Sequence, residues 1–289
     1  MNKFARFLTN MLSDKAYIRL KYYYHFGRLP NLNEPRTFNE KLQWLKLNDR
    51  DDIFTDMVDK YEAKKIVSKI IGEEYVIPTY GVWDRYDDID FDSLPEKFVL
   101  KTTHDCSGVV ICKDKNSFDR ENAKVFLEKH LNFNYYYESR EWPYKNIKPR
   151  ILAEEFVKDG NRDYLPVYKF LCFGGEPRII QTIQNDKQPN ESIDYFDTKW
   201  ELLDMRQNYP NSDKPLCRPE KLDEMCNIAR MLSKGRPFLR VDLYLINGDI
   251  RFSEFTFYSD AGLAAFHPSE WDDTLGDWIM LPKKKEKKK

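Results

Sequence analysis

The chain has 289 residues, of which 33% are charged and 15% aromatic, and a formal net charge of −1. That length allows one large or two modest domains with a real core. The composition excludes a disordered chain. No apolar run reaches the roughly 18 residues a membrane helix needs. Five cysteines (106, 112, 172, 217 and 226) form no CxxC pair, which argues against cysteine-held metal and for reduced thiols in the cytoplasm. The charge is uneven, because the tail 283–289 holds six lysines and one glutamate, so its +5 leaves −6 for the body. A body of that sign argues against nucleic acid as the partner. The tail suits either a solvated terminus or a weak contact with anionic lipid at the inner membrane face.

Residues 1–50 read as helical. Phe4, Phe7, Leu8 and Met11 recur at helical spacing, and Thr9, Asn10, Ser13 and Asp14 break any signal-peptide core. An apolar and aromatic block follows (Ile18, Leu20, Tyr22, Tyr23, Tyr24 and Phe26) and stops at Leu29-Pro30-Asn31. These aromatics read as packing, with a membrane-surface role for the first helix as the alternative. Thr37 with Glu40 makes a capping box before Leu42, Trp44 and Leu45. Val58, Tyr61, Val67, Ile70 and Ile71 predict one helix over 55–71, closed by Gly72, with Asp59-Lys60 in its first turn. A short strand and connection follow at 75–83, then an acidic loop at 84–92.

Phe98-Val99-Leu100-Lys101 reads as a strand ending in a lysine, followed by the polar turn 102–108 and a second strand at 109–113. A turn of small residues beside a lysine can bend its amides over phosphate. An ordinary hairpin is the alternative. A helix is expected over 119–138 and a strand over 151–157, the latter running into Asp159-Gly160. The strand 167–173 turns at Gly174-Gly175 into 178–183, and Lys169 and Arg178 set cations on that pair. Another helix covers 217–234, with Pro219 at its first position, Gly235 at its C-terminal cap, and Leu222, Met225, Ala229 and Leu232 as its buried stripe.

The stretch 238–258, FLRVDLYLINGDIRFSEFTFY, reads as a hairpin turning at Asn247-Gly248. Arg240 and Asp242 share a face of its first strand, and Glu254 and Thr256 share a face of its second. With a two-residue loop and an unbroken ladder, Asp242 would oppose Ser253, and Glu254 would point away. An odd loop or a bulge puts both acids on one face. The expectation is therefore a connection of three or five residues, with Gly248 at positive φ. A cation and two acids on one sheet face suit a metal ion and polyphosphate; the wet face of an amphipathic sheet is the alternative. The turn 259–262 and a last helical segment after 266–271 close a mixed, largely antiparallel α+β chain.

With RVDLY and SEFTFY on the page, the sequence resembles the ATP-grasp superfamily. It is most similar to its TupA-like branch, associated with bacterial teichuronopeptide, capsule and surface-polysaccharide gene sets. The resemblance runs from about Thr37 to Pro282. It implies an ATP-grasp fold of two α+β subdomains with antiparallel sheets clasping a nucleotide: a helical N-terminal region at 1–54, a phosphate-loop subdomain at 55–150, a hinge-and-metal subdomain at 151–282, and the basic tail at 283–289. Asp242 and Glu254 would ligate Mg2+, with Thr256 standing where many members have asparagine. Arg240 would stabilise transferring phosphate, and Lys60, Lys101 and Lys169 match nucleotide-contacting lysines. His104, Ser107 and Gly108 lie in the stretch matching the phosphate-covering loop, which is poorer in glycine than in many members. Glu154, Glu155 and Val157 match the hinge that meets adenine, with Asp159 and Asp163 as candidates for ribose.

The activity so implied is an ATP-dependent carboxylate–amine ligase working through an acylphosphate, its partners a hexuronic acid saccharide and an amino acid. Residues 267–271 and the Tyr135, Tyr136, Tyr137 cluster are candidates for the acceptor site. The rivals are a phosphotransferase on the same scaffold, a non-catalytic assembly partner, and a glycosyltransferase holding its metal on Asp88-Ile89-Asp90 or Asp90-Phe91-Asp92.

Overall fold

The computed structural model describes residues 11–160, 165–186 and 188–283. The helical pattern at Phe4, Phe7 and Leu8 and most of the lysine-rich tail lie outside these residues. The chain is α+β. Its α-helices are α1 (Asp14–Phe26), α2 (Phe38–Asn48), α3 (Ile53–Val58), α4 (Lys60–Ile71), α5 (Arg120–Leu131), α6 (Tyr136–Ser139), α7 (Leu222–Ser233) and α8 (Glu270–Trp278). Its strands are β1 (Thr79–Trp83), β2 (Phe98–Thr102), β3 (Val109–Cys112), β4 (Ile151–Glu155), β5 (Val167–Phe173), β6 (Glu176–Gln184), β7 (Ser192–Phe196), β8 (Phe238–Ile246) and β9 (Asp249–Thr256). They build a four-stranded sheet in the order β1-β4-β2-β3 and a five-stranded sheet in the order β7-β6-β5-β8-β9. Every pairing within the two sheets is antiparallel. No helix among the described residues is long and apolar enough to cross a membrane.

Each sheet has its own core. Under the smaller one, Phe98, Leu100, Ile151 and Ala153 meet Ala123 and Leu127 of α5 and the loop residues Tyr86, Ile89 and Phe91. Under the larger one, Phe170, Val241 and Phe255 pack with Met225 and Ala229 of α7, with Val67 of α4, and with Phe38, Leu42, Trp44 and Leu45 of α2. Burying such a side chain contributes about 1.5–3 kcal/mol, so α2 is integral to this core.

The single helix expected over 55–71 is two. Asp59 leaves helical geometry at ψ 119, and its carboxylate accepts from Tyr61 and Glu62 amides, capping α4. The break matters because Lys60 N then donates to Thr103 O at 2.9 Å, docking the start of α4 on the turn after β2. The 119–138 helix likewise stops at Leu131 and resumes only as the short α6. The helix expected from 217 starts at Leu222, where Pro219 lies one turn early and its carbonyl accepts from Leu222 N at 3.2 Å. The capping box at Thr37 is half formed: Thr37 Oγ1 accepts from Glu40 N at 3.3 Å. Glu40 instead reaches Asn31 N, Arg36 N and the Arg28 guanidinium. All five cysteines are free thiols.

Register in the last hairpin decides where its charges go. The connection is two residues, Asn247 (φ 51) and Gly248 (φ 84), both left-handed as a tight primed turn requires. The expected three- or five-residue loop is therefore wrong, while positive φ at Gly248 is right. The ladder runs Ile246↔Asp249 to Leu243↔Phe252, then slips by one residue at Ser253, so that Asp242 faces Glu254 and Arg240 faces Thr256. A bulge supplies the one-residue shift that the loop does not.

Candidate functional site

Arg240 organises the acid face of β8 and β9. Its Nε and Nη2 donate to the two oxygens of Asp242 at 2.7 and 2.8 Å, and Nη2 also reaches Glu254 Oε1 at 3.4 Å. Nη1 donates to Ser259 Oγ at 3.4 Å. From the neighbouring strand β5, Lys169 sits opposite Asp242 in register, with Nζ 3.9 Å from Oδ2. Burial pushes the Asp242 carboxyl up, against the pull of Arg240 and Lys169. Burial also works against the Arg240 cation, yet Asp242 and Glu254 hold it above its usual range. A guanidinium does not deprotonate in proteins, and it grips Asp242 through two nitrogens, so the charged pair is the state we assign.

Glu254 behaves differently. Its side chain lies deep in the molecule but is 36% exposed, opening into a cavity of about 430 Å³. Burial would raise its pKa, but Lys60, Arg240, Lys169 and Lys101 together outweigh that and hold the carboxyl below its usual value. Four cations from four separate elements thus converge on one acid. Among the described residues no group of three or more His, Cys, Asp or Glu is arranged for metal binding. Two carboxylates and the Thr256 hydroxyl nonetheless form a hard oxygen set, and one or two carboxylates plus phosphate oxygens is how Mg2+ is commonly held. The donor types suit that ion, although both Asp242 oxygens are held by Arg240, and of the three residues Glu254 and Thr256 line the cavity.

Across the cavity stands the turn after β2. Asp105 is its keystone: one oxygen accepts from Gly108 N at 3.0 Å and from the Thr102 hydroxyl, and the other meets His130 Nδ1 of α5. Lys60 Nζ donates to Asp105 O. A side chain at Gly108 would collide with Thr102 Oγ1, so the turn closes only around glycine. Cys106 and Ser107 are exposed at its tip. His104 is turned the other way, its Nε2 on the carbonyls of His130 and Phe133 at 3.1 and 2.9 Å and its pKa lowered by burial. A neutral ring clamping the end of α5 is what this placement describes.

Lys101 pairs with Glu154 on the adjacent strand β4, and Lys64 of α4 binds the second oxygen of Glu154 at 2.7 Å. Burial would raise the Glu154 pKa; the two lysines lower it. Lys64 was missed in the sequence, although it lies four residues after Lys60 and so on the same helical face. Glu155 and Val157 sit at and beyond the end of β4 and do not line the cavity. Asp159 accepts from Asn247 N at 2.9 Å, while the Asn247 side chain bonds Gly160 N and Lys158 O at 3.0 Å each, tying the hinge to the β8–β9 turn. Asp163 lies outside the described residues.

Lys60, Arg240, Glu254 and Thr256 line the cavity, with Asp242 and Lys169 behind them. Its lining also includes Tyr135, Tyr144, Glu141, Tyr258 and Asp260, of which only Tyr135 figured among the sequence candidates. In the 84–92 loop Asp88 pairs with Arg85, and Asp90 accepts from Asp92 N and Ser93 N in an exposed turn, while Asp84 and Asp87 pair with Lys148 and Lys124. Arg178 lies over the Trp278 ring at 4.9 Å.

A family model described as TupA-like ATPgrasp matches residues 40–280. No curated protein matches the chain. Among solved structures, D-alanine–D-alanine ligase from Bacillus anthracis complexed with ATP is 17% identical with a TM-score of 0.41, over 70% of this chain and 54% of its own. The corresponding ligase from Helicobacter pylori is 15% identical with a TM-score of 0.39, over 78% and 61%. D-cycloserine synthetase DcsG is 14% identical with a TM-score of 0.42, over 71% and 63%. The chain thus spans less than two thirds of the length of these proteins.

Proposed function

The chain belongs to the TupA-like ATP-grasp family, and from that premise we propose that it is an ATP-dependent ligase joining a carboxylate to an amine through an acylphosphate. The observation that carries this reading is the bulge at Ser253, which turns Glu254 onto the face of Asp242 beneath four cations. Such a cluster suits three tasks: holding a triphosphate, offsetting charge as the γ-phosphoryl moves, and keeping both acids ionised.

In the first step a carboxylate oxygen attacks the γ-phosphorus, the bond to the bridging oxygen breaks, and ADP leaves. In the second an amine nitrogen attacks the acyl carbon, phosphate leaves, and one proton is released. Lys60 and Arg240, facing the cavity, meet phosphate oxygens, and Lys101 and Lys169 add positive field from behind. The turn 102–108, fixed by Asp105, covers them and limits water. Asp242, Glu254 and Thr256 would hold Mg2+, which supplies Lewis-acid polarisation of phosphate oxygens when bound. The acceptor class proposed is a hexuronic acid of surface polysaccharide and the donor an amino acid, consistent with the family's gene sets.

The test is direct. The full chain is incubated with ATP, Mg2+, uronic acids and an amino-acid pool, and ADP and product mass are followed. Amide product with matching ADP is expected, falling about a hundredfold or more in Glu254→Gln. Sugar transfer from a nucleotide sugar without ATP use would refute the reading.

A further inference from the structure

The cavity wall also carries a carboxylate that nothing above uses. Glu141 is only 4% exposed, yet it lines the cavity. Its Oε1 accepts from Ser139 Oγ at 2.8 Å. Its Oε2 has no hydrogen-bond or ion-pair partner among the described residues, although it is not sealed from the cavity. The buried cation Lys46 is already engaged: its Nζ donates to Ser139 O at 3.0 Å and to Ala261 O at 2.7 Å. Those bonds fix the Glu141 segment against the 259–262 turn; burial raises the Glu141 carboxyl, and Lys46, Lys21 and Arg240 pull it back toward the charged form.

Beside Glu141, the rings of Tyr135 and Tyr144 meet edge to face with centroids 5.0 Å apart, and both line the same cavity. A buried acid with one open oxygen, walled by two phenol rings, is the chemistry that recognises a compact organic cation. A sugar hydroxyl would not need the charge.

We propose that Glu141, Tyr135 and Tyr144 form a primary-ammonium site that receives the amine partner of the ligase reaction, the Glu141 carboxylate taking one ammonium proton so that the neutral nitrogen can attack, an assignment that rests on the ligase reading above. The site shares one cavity with Glu254 and Arg240, so an amine held there lies in the same chamber as the phosphate-binding cations.

Ethylammonium chloride, titrated calorimetrically into the full chain loaded with ATP and Mg2+, tests the site without turnover, with sodium chloride as control. Saturable binding is expected in the native chain, weakening about tenfold or more in Glu141→Gln, which keeps the Ser139 bond but loses the charge. Tyr144→Leu, measured in parallel, should weaken it in the same direction and covers the case in which Glu141→Gln does not fold. Equal affinity in the native chain and either folded variant overturns the site, as does equal binding of sodium.

Turnover separates the two proposals. Hydroxylamine, uncharged at neutral pH, should trap the acylphosphate equally well in native chain and Glu141→Gln. The KM for an amino-acid amine should rise in the variant while that for ATP does not. Hydroxamate and amide falling together would make Glu141 structural and overturn the proposal. Absence of hydroxamate from the native chain, with Glu141-dependent ethylammonium binding intact, would refute the ligase reading and leave the ammonium site standing.

Discussion

Glu154 shows how one residue links a sheet to a helix. It takes Lys101 on one oxygen and Lys64 on the other, with its side chain only 5% exposed. Burial opposes its charge, the two lysines outweigh burial, and the folded pKa lies below the ordinary 4.5. The contribution is therefore complete above the unfolded value and is lost as pH falls through the lower folded one. Glu154→Gln should cost about 3 kcal/mol near neutrality, because it strands two half-buried ammonium groups. Denaturant titrations across the acid range should show the gap between native chain and variant closing below pH 4.5. A gap that does not change with pH would contradict the pairing. Lysine and acid were both legible as candidates in FVLK and LAEEF. Their direct contact was not, because it depends on β4 inserting beside β2, a non-local pairing that no local pattern encodes.

At the scale of elements, the sequence was most informative where turn chemistry is strict. Asn247-Gly248 between alternating strands announced the hairpin, and both residues take the left-handed conformation. The sequence could not choose between a bulge and an odd loop, because a slip at Ser253 and an odd loop serve the same pattern of inward acids. The break at Asp59 escaped for a similar reason: an N-capping acid inside an apolar periodicity looks like a surface residue of one long helix. Strand β7, all five residues buried, had no expected counterpart in the sequence between 184 and 216. Two variants probe the elements around the site. Asn247→Ala removes a residue suited to positive φ and two side-chain bonds to the hinge backbone. It should lower stability by about 1–2 kcal/mol, read as a falling Tm. Gly108→Ala forces the 102–108 turn off Thr102. It should raise the KM for ATP about tenfold with little change in Tm, since the turn covers the cavity and not the core. Unchanged ATP affinity would detach that turn from nucleotide binding.

The whole molecule is organised around the larger sheet. Helix α2 gives Phe38, Leu42, Trp44 and Leu45 to its core, and Gln43 and Lys46 bind the carbonyls of Ala261 and Gly262 in the cavity wall. The N-terminal region is thus part of the site's support. Deleting residues 1–50 should abolish cooperative unfolding and yield an aggregating chain; a truncated chain with a sharp thermal transition would show otherwise. The most direct measurement of the central claim uses ATP labelled with heavy oxygen at the β–γ bridge. With a carboxylate present and the amine withheld, reversible acylphosphate formation frees the ADP β-phosphate to rotate, so the label should scramble into non-bridging positions in the native chain and not in Glu254→Gln. No scrambling with any carboxylate, or scrambling that survives in Glu254→Gln, would contradict the account.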